Sequence, residues 1–208
     1  NRADTGGGMY NSSYSSPRVS NTTFSGNTAA NGGGISNYAS SSPKIYNSII
    51  WGNTKTNGTI DNIANNNSSN DNPEFYHSVV QGSTAGWASL GTNGGGNIDA
   101  DPGFTNAANG EYSLANGSPA IDTGQNSYYT DVDKGNGNLT TDKDIAGKPR
   151  VSGNAIDMGA YESQSVVYTP DANKILYVNT NVTAGNGSGD SWANAIPELA
   201  DALKWAKQ

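Results

Sequence analysis

Apolar residues along this chain come mostly singly or in pairs among Asn, Ser, Thr and Gly, and they return at matched positions. Val19, Ile45 and Phe75 each stand two residues before a polar turn residue (Asn21, Asn47 and His77). That alternation of period two predicts short strands with one buried face. The surroundings repeat as well. Gly6-Gly7-Gly8-Met9-Tyr10-Asn11 returns as Gly32-Gly33-Gly34-Ile35-Ser36-Asn37, a step of 26 residues, and a degenerate copy follows at Gly58-Thr59-Ile60-Asp61-Asn62. Ser16-Pro17-Arg18-Val19 aligns with Ser42-Pro43-Lys44-Ile45 and Asn72-Pro73-Glu74-Phe75, then more loosely with Asp101-Pro102-Gly103-Phe104. The prolines step by 26, 30 and 29. The first three copies end alike, on Phe24-Ser25-Gly26-Asn27, Ile50-Trp51-Gly52-Asn53 and Val80-Gln81-Gly82-Ser83.

A period of this length holds two or three short strands joined by turns, which is one coil of a β-solenoid. Stacking coils about 4.8 Å apart as parallel strands builds apolar columns: Met9, Ile35, Ile60; Val19, Ile45, Phe75, Phe104; and Phe24, Ile50, Val80. No coil could bury its apolar face alone. Three sets of polar residues fall at the turns: Asn11/Asn37/Asn62, Asn21/Asn47/His77 and Asn27/Asn53. Asn tolerates left-handed backbone angles there, and stacked amides are expected to hydrogen-bond as ladders.

Composition narrows the function. Only 33% of residues are hydrophobic and 14% charged, and the net charge of −7 argues against nucleic acid or an anionic membrane as partner. With no cysteine, disulfides, thiol catalysis and cysteine-ligated zinc are excluded. No apolar run approaches the roughly 18 residues of a membrane span. The chain opens at Asn1 without an initiator Met, which is expected of a piece of a longer protein.

The Gly-Gly-Gly-(Ile/Met) and (Phe/Ile)-x-Gly-Asn patterns resemble the repeats of polymorphic outer-membrane proteins and related pectate-lyase-like β-helices. Asn97–Phe104, Tyr112–Gly124, Asp144–Arg150 and Ile156–Glu162 are similar to the closing coils of β-helix domains in large secreted surface proteins, often of Bacteroidota. The resemblance covers residues 1–162 and implies an all-β fold, a right-handed parallel β-helix, at an extracellular or bacterial cell-surface location. It implies adhesive or structural roles rather than an enzyme. Residues 163–174 read as a linker. Residues 175–208 resemble the start of a next unit: a short strand at Ile175–Val178, a Gly-rich loop, and an amphipathic capping helix from Ile196 to Ala206. Tandem repetition and head-to-tail self-association follow as expectations, with host or environmental glycans as further candidate partners.

Catalysis has candidates, each with a plainer reading. A lyase base could be Arg18 or Lys44, but Glu74 completes their column and makes a cross-coil ion pair the simpler expectation. Asp99/Asp101 or Asp122 could supply the paired carboxylates of a glycoside hydrolase, as could any exposed acids. A carbohydrate-binding or polysaccharide-cleaving β-helix therefore stands as the alternative function. His77, the one histidine, takes an asparagine position in the turn column. Asp131, Asp133 and Asp142 occupy positions 1, 3 and 12 of a calcium-loop pattern, which makes calcium the one cofactor the sequence offers. Gly135 at position 5, Asp at position 12 and the missing flanking helices favour a solvated loop. The Asn-x-Ser/Thr sequons are what so Asn/Ser/Thr-rich a chain produces anyway.

Overall fold

The two-residue alternation becomes strands two to four residues long, and the 26-residue step becomes a stack of tiers. The first tier holds β1 (Arg2–Thr5), β2 (Met9–Asn11), β3 (Arg18–Ser20) and β4 (Thr23–Ser25). The second holds β5 (Thr28–Asn31), β6 (Ile35–Asn37), β7 (Lys44–Tyr46) and β8 (Ile49–Trp51). β9 (Thr54–Lys55), β10 (Ile63–Asn65), β11 (Glu74–Tyr76) and β12 (Val79–Val80) make the third. β13 (Thr92–Asn93) begins a partial fourth, and β14 (Phe104–Asn106) and β15 (Glu111–Leu114) follow. This is a computed structural model; it describes residues 1–66, 70–131, 136–153, 155–164, 170–179, 181 and 188–196. The chain divides into two units, Asn1–Ser163 and Gln164–Gln208.

The first unit is all-β, with parallel strands in four stacked sheets of order β1-β5-β9, β2-β6-β10, β3-β7-β11-β13 and β4-β8-β12. Register follows the repeat: Val19 pairs with Ile45 and Ile45 with Phe75, while Phe24 pairs with Ile50 and Ile50 with Val80. Ile45, Phe75, Phe24, Ile50 and Val80 form one cluster with Ile35 and Ile63, onto which Met9, Val19, Trp87 and Leu90 pack. Burying each Val, Ile or Phe is worth about 1.5–3 kcal/mol, and the stack supplies that burial. Tiers approach closely at the glycine corners. A Cβ on Gly33 would sit 2.3 Å from the Thr54 carbonyl oxygen, so only glycine fits.

Three expectations change. Met9 and Ile35 stack on Ile63, not Ile60; Ile60 is half exposed and lies in a fold-back where Thr54 bridges it antiparallel. Their asparagines continue to Asn65, not Asn62. The Phe75 column continues to Asn93, while Phe104 pairs antiparallel with Leu114 in the β14–β15 hairpin. The first two share a cause. The third tier carries an insertion at residues 56–61 that shifts the following strand, so the degenerate glycine match points three residues too early.

Residues 97–163, which resemble closing coils, follow a different course beyond Ile98. Asp99 ties back to Gly82 and Thr84. The hairpin reaches the first tier, where the Tyr112 hydroxyl donates to Ser25 O at 3.4 Å. The described residues between 119 and 163, with a short helix α1 (Asn126–Thr130), then run back along the turn column as a strap. His77 in the third tier hydrogen-bonds Thr123 O, Asn47 in the second meets Gln125, and Asn21 in the first donates to Asp157 O. The strap covers the outward residues of β8 and β12. Ile49 and Val79 form a second buried cluster with Leu114, Ala120 and Met158. Cover on both faces explains why Ile49-Ile50 and Val79-Val80 are doubly apolar.

In the second unit, Val178 and Ile196 make a single parallel bridge where a strand over 175–178 is expected, and Tyr177 stacks edge-on to Trp192 at 5.0 Å. Asp171 accepts from the Asn173 and Ile175 amides and from the Tyr177 hydroxyl. Apart from Ile196, the expected capping helix lies outside the described residues. Among the described residues, no helix is long and apolar enough to cross a membrane.

Candidate functional site

Two amide ladders run along the stack with one polarity. In the first, Asn1 Nδ2 donates to Asn27 Oδ1 at 3.1 Å, Asn27 to Asn53 at 2.9 Å, Asn53 to Asn62 at 2.9 Å, and Asn62 to Gln81 Oε1 at 2.9 Å. In the second, Asn11 donates to Asn37 and Asn37 to Asn65, both at 2.9 Å. Asn65 ends on the Ser89 and Leu90 carbonyl oxygens. A serine column adds a third set, unremarked in the sequence. The Thr22 amide donates to Ser48 Oγ, the Ser48 amide to Ser78 Oγ, and the Ser78 amide to Asn97 Oδ1. Between the ends of these rows each group is satisfied by its neighbour, and where the rows are buried the low polarity around them strengthens each bond. Register is thereby specified as well as stabilised.

The two ends of the stack differ. Toward the fourth tier, residues 56–61 fold back on β9, Asn65 is capped by residues 89–90, and Ile98 bridges Val79 of β12. Trp87 lies 5.6 Å from Phe75, and with Leu90 it packs on the core. At the other end, β1, β2, β3 and β4 are the terminal strands of all four sheets. Within the described residues of this unit, no strand pairs with their second edges, and on β4 the Tyr112 hydroxyl reaches Ser25 O. The Oδ1 atoms of Asn1 and Asn11 end the two ladders as acceptors that no described group fills. A strand edge with unpaired N–H and C=O groups is a template for another strand.

A groove of about 440 Å³ lies where the hairpin meets β4 and β8, lined among others by Trp51, Asp101, Phe104 and Tyr112. Phe104 and Tyr112 are in edge-to-face contact at 5.2 Å. One Asp101 oxygen accepts the Gly103 amide at 2.9 Å. Among the described residues, no lysine or arginine lines the groove. The aromatic members come from segments far apart in sequence, so no local signal marks them.

The strap is locked by buried charges. Arg150 Nη2 meets Glu162 Oε2 at 3.0 Å with both side chains almost fully buried, and Nη1 donates to Ala160 O. Glu162 also accepts the Ser152 and Asp157 amides, while Asp157 accepts those of Asp122 and Ser163. Burial pushes Glu162 up to about 7 and Asp157 up to about 6, against the pull of those amides and Arg150. Asp144 draws the ends together, accepting from Ala146, Lys148 and Glu162. The motifs Asp144–Arg150 and Ile156–Glu162 are therefore the two halves of one knot.

The other singled-out residues lie apart. Lys44 and Glu74 pair across tiers at 3.2 Å, and Arg18 stands in register below Lys44. The Tyr76 hydroxyl, then Lys44, holds Glu74 below its ordinary range. Asp99 is a cap: burial raises its pKa, but the Thr84 and Gly82 donors outweigh that and hold it low. Asp122 belongs to the strap, where its Oδ1 accepts the Ala155 amide. His77 does adopt the turn conformation of its column, with φ of 44° against 47° at Asn21 and 45° at Asn47. Yet these three side chains bind the strap, not each other. Of the calcium-loop residues, Asp133 lies outside the described residues. Asp142 Oδ2 accepts the Asn138 amide and the Tyr129 hydroxyl. No group of three or more His, Asp and Glu side chains among the described residues is placed to hold a metal ion.

Compared with known proteins, the chain matches no family model, no curated protein and no solved structure.

Proposed function

We propose that this chain is a structural and adhesive module of a bacterial cell-surface or extracellular protein, built on a right-handed parallel β-helix and associating with units like itself. The observation that carries the reading is the in-register stack of parallel strands in four sheets, threaded by asparagine ladders. Tiers of this kind extend by adding tiers, as solenoids do. The acidic, cysteine-free composition fits an extracellular polymer, and catalysis is not part of the reading. Lys44, the lyase-base candidate, is engaged by Glu74, and Asp99 is spent on capping. Light scattering on the full chain and on one lacking residues 175–208 tests the association. Assemblies of the full chain that disappear on deletion support docking through that segment, and identical behaviour of the two rejects it.

The groove favours glycan binding as the second reading. Aromatic faces suit the C–H surfaces of sugar rings, and a carboxylate beside them accepts hydroxyl hydrogens. With no cation in the lining, a neutral saccharide fits better than a uronate. Titration calorimetry with neutral oligosaccharides should give heats that Trp51→Ala removes; no heat with any of them counts against this reading.

A further inference from the structure

We infer that the groove at Trp51, Asp101, Phe104 and Tyr112 selects a saccharide carrying a free, protonated amine: an unacetylated hexosamine unit rather than its N-acetyl counterpart. This rests on the glycan reading of the groove, which leaves the sugar class open. Sugar rings and cations are drawn to the same aromatic walls. The π face of a ring is electron-rich, so it attracts an ammonium within about 6 Å of its centre as well as the C–H face of a sugar. Phe104 and Tyr112 stand nearly perpendicular, at 79°, and Trp51 adds a third ring from β8.

Charge then decides between sugar classes. Asp101 is the one charged side chain among the described residues that line the groove. Its Oδ1 accepts the Gly103 amide, which ties the carboxylate to the turn leading into β14, and no described residue donates to its Oδ2. A sugar hydroxyl can give that oxygen one hydrogen. An ammonium gives a hydrogen and also the positive charge that the lining lacks, and such charge-assisted bonds are about twice as strong as neutral ones. An N-acetyl group offers an amide in place of the charge, and a uronate would set carboxylate against carboxylate. The chain's net charge of −7 favours a cationic ligand at long range as well. At about 440 Å³ the groove lies toward the small end of small-molecule sites, roughly 300–1,000 Å³, and so suits a short stretch of sugar.

The test is titration calorimetry on the full chain at about pH 6, where an aliphatic amine is protonated, with glucosamine oligomers against N-acetylglucosamine oligomers of the same length. The amine form should bind about tenfold tighter or more. That margin should shrink at about 1 M salt, where the screening length falls to about 3 Å. Asp101→Asn should bring the two affinities within about twofold of each other, and the Asn oxygen can still accept the Gly103 amide, so the turn keeps its bond. Ethanolamine, an amine with no sugar ring, should bind at least about tenfold more weakly than the glucosamine oligomers. Equal or tighter binding of the N-acetyl oligomers by the parent chain, or a margin that survives Asp101→Asn, overturns this inference and leaves the glycan reading standing. Ethanolamine binding as tightly as the oligomers overturns the saccharide as the occupant. No heat from either set of oligomers sinks the glycan reading together with it.

Discussion

Asn47 and Gln125, 78 residues apart, exchange two hydrogen bonds: the Gln125 amide donates to Asn47 Oδ1 at 2.8 Å, and Asn47 Nδ2 donates to Gln125 O at 3.0 Å. The pair fastens the strap to the middle tier. Asn47 does this from a left-handed backbone (φ of 45°) while fully buried. One residue thus turns the chain and binds the strap, which explains a preference for Asn over Gly at this corner.

Asn47→Leu should therefore cost about 3 kcal/mol or more. It leaves the part-buried Gln125 amide and carbonyl without their partner, at about 1–3 kcal/mol each as an upper range, and forces a branched side chain into the left-handed region. Asn47→Gly keeps the turn and loses only the bonds, so it should cost clearly less. Urea unfolding of both variants separates the contributions, and equal costs would show that the strap contact contributes little.

Ile45 is fully buried between Val19 and Phe75. Ile45→Asp loses about 1.5–3 kcal/mol of burial and adds a desolvated carboxyl. The variant should be largely unfolded at 37 °C by circular dichroism. A melting temperature within a degree or two of the parent would mean that Ile45 faces water.

Stability should rise on mild acidification. Glu162 and Asp157 have folded pKa values of about 7 and about 6, above their ordinary 4.5 and 3.8. The folded state thus binds more protons than the unfolded chain in that window. Their contribution is fully present below the unfolded values and is lost as pH rises through about 6 to 7. Glu74 and Asp99 act oppositely: their pKa values are lowered, so their contribution fades as pH falls through the folded values, below the ordinary carboxylate range. Tm should be higher at pH 5 than at pH 8, and Glu162→Gln should flatten that difference. A higher Tm at pH 8 in the parent chain would contradict the assignment.

Much of the stack was legible in the sequence because the cause of the pattern is local. The step from Val19 to Ile45 to Phe75 fixes the register of β3, β7 and β11, and the column from Arg18 through Lys44 to Glu74 gives the ion pair. Where tiers differ in length the pattern misleads, as with Ile60 for Ile63, because an insertion at residues 56–61 leaves a glycine where the eye expects the corner. Trp87 and Leu90 cover the last tier and so resemble no repeat. The strap and the groove depend on partners far apart, such as Asn21 with Asp157 and Trp51 with Tyr112. No spacing encodes such pairs. The asparagines at 21 and 47 read as turn residues, but a turn asparagine looks the same in sequence whether its side chain meets another tier or a returning segment.

The central claim is a parallel stack in register at a 26-residue step, and paired cysteines test it most directly because the chain has none of its own. Arg18 and Lys44 are register partners on adjacent tiers, with Lys44 in turn paired to Glu74. Neighbouring strands about 4.8 Å apart bring two cysteines within disulfide range, whereas tiers two apart, at roughly 10 Å, do not. Under mild oxidation, the double variant Arg18→Cys/Lys44→Cys should form an intramolecular disulfide, read by mass spectrometry, and Arg18→Cys/Glu74→Cys should not. Cross-linking of the second pair in preference to the first, or of both equally, would contradict the stack.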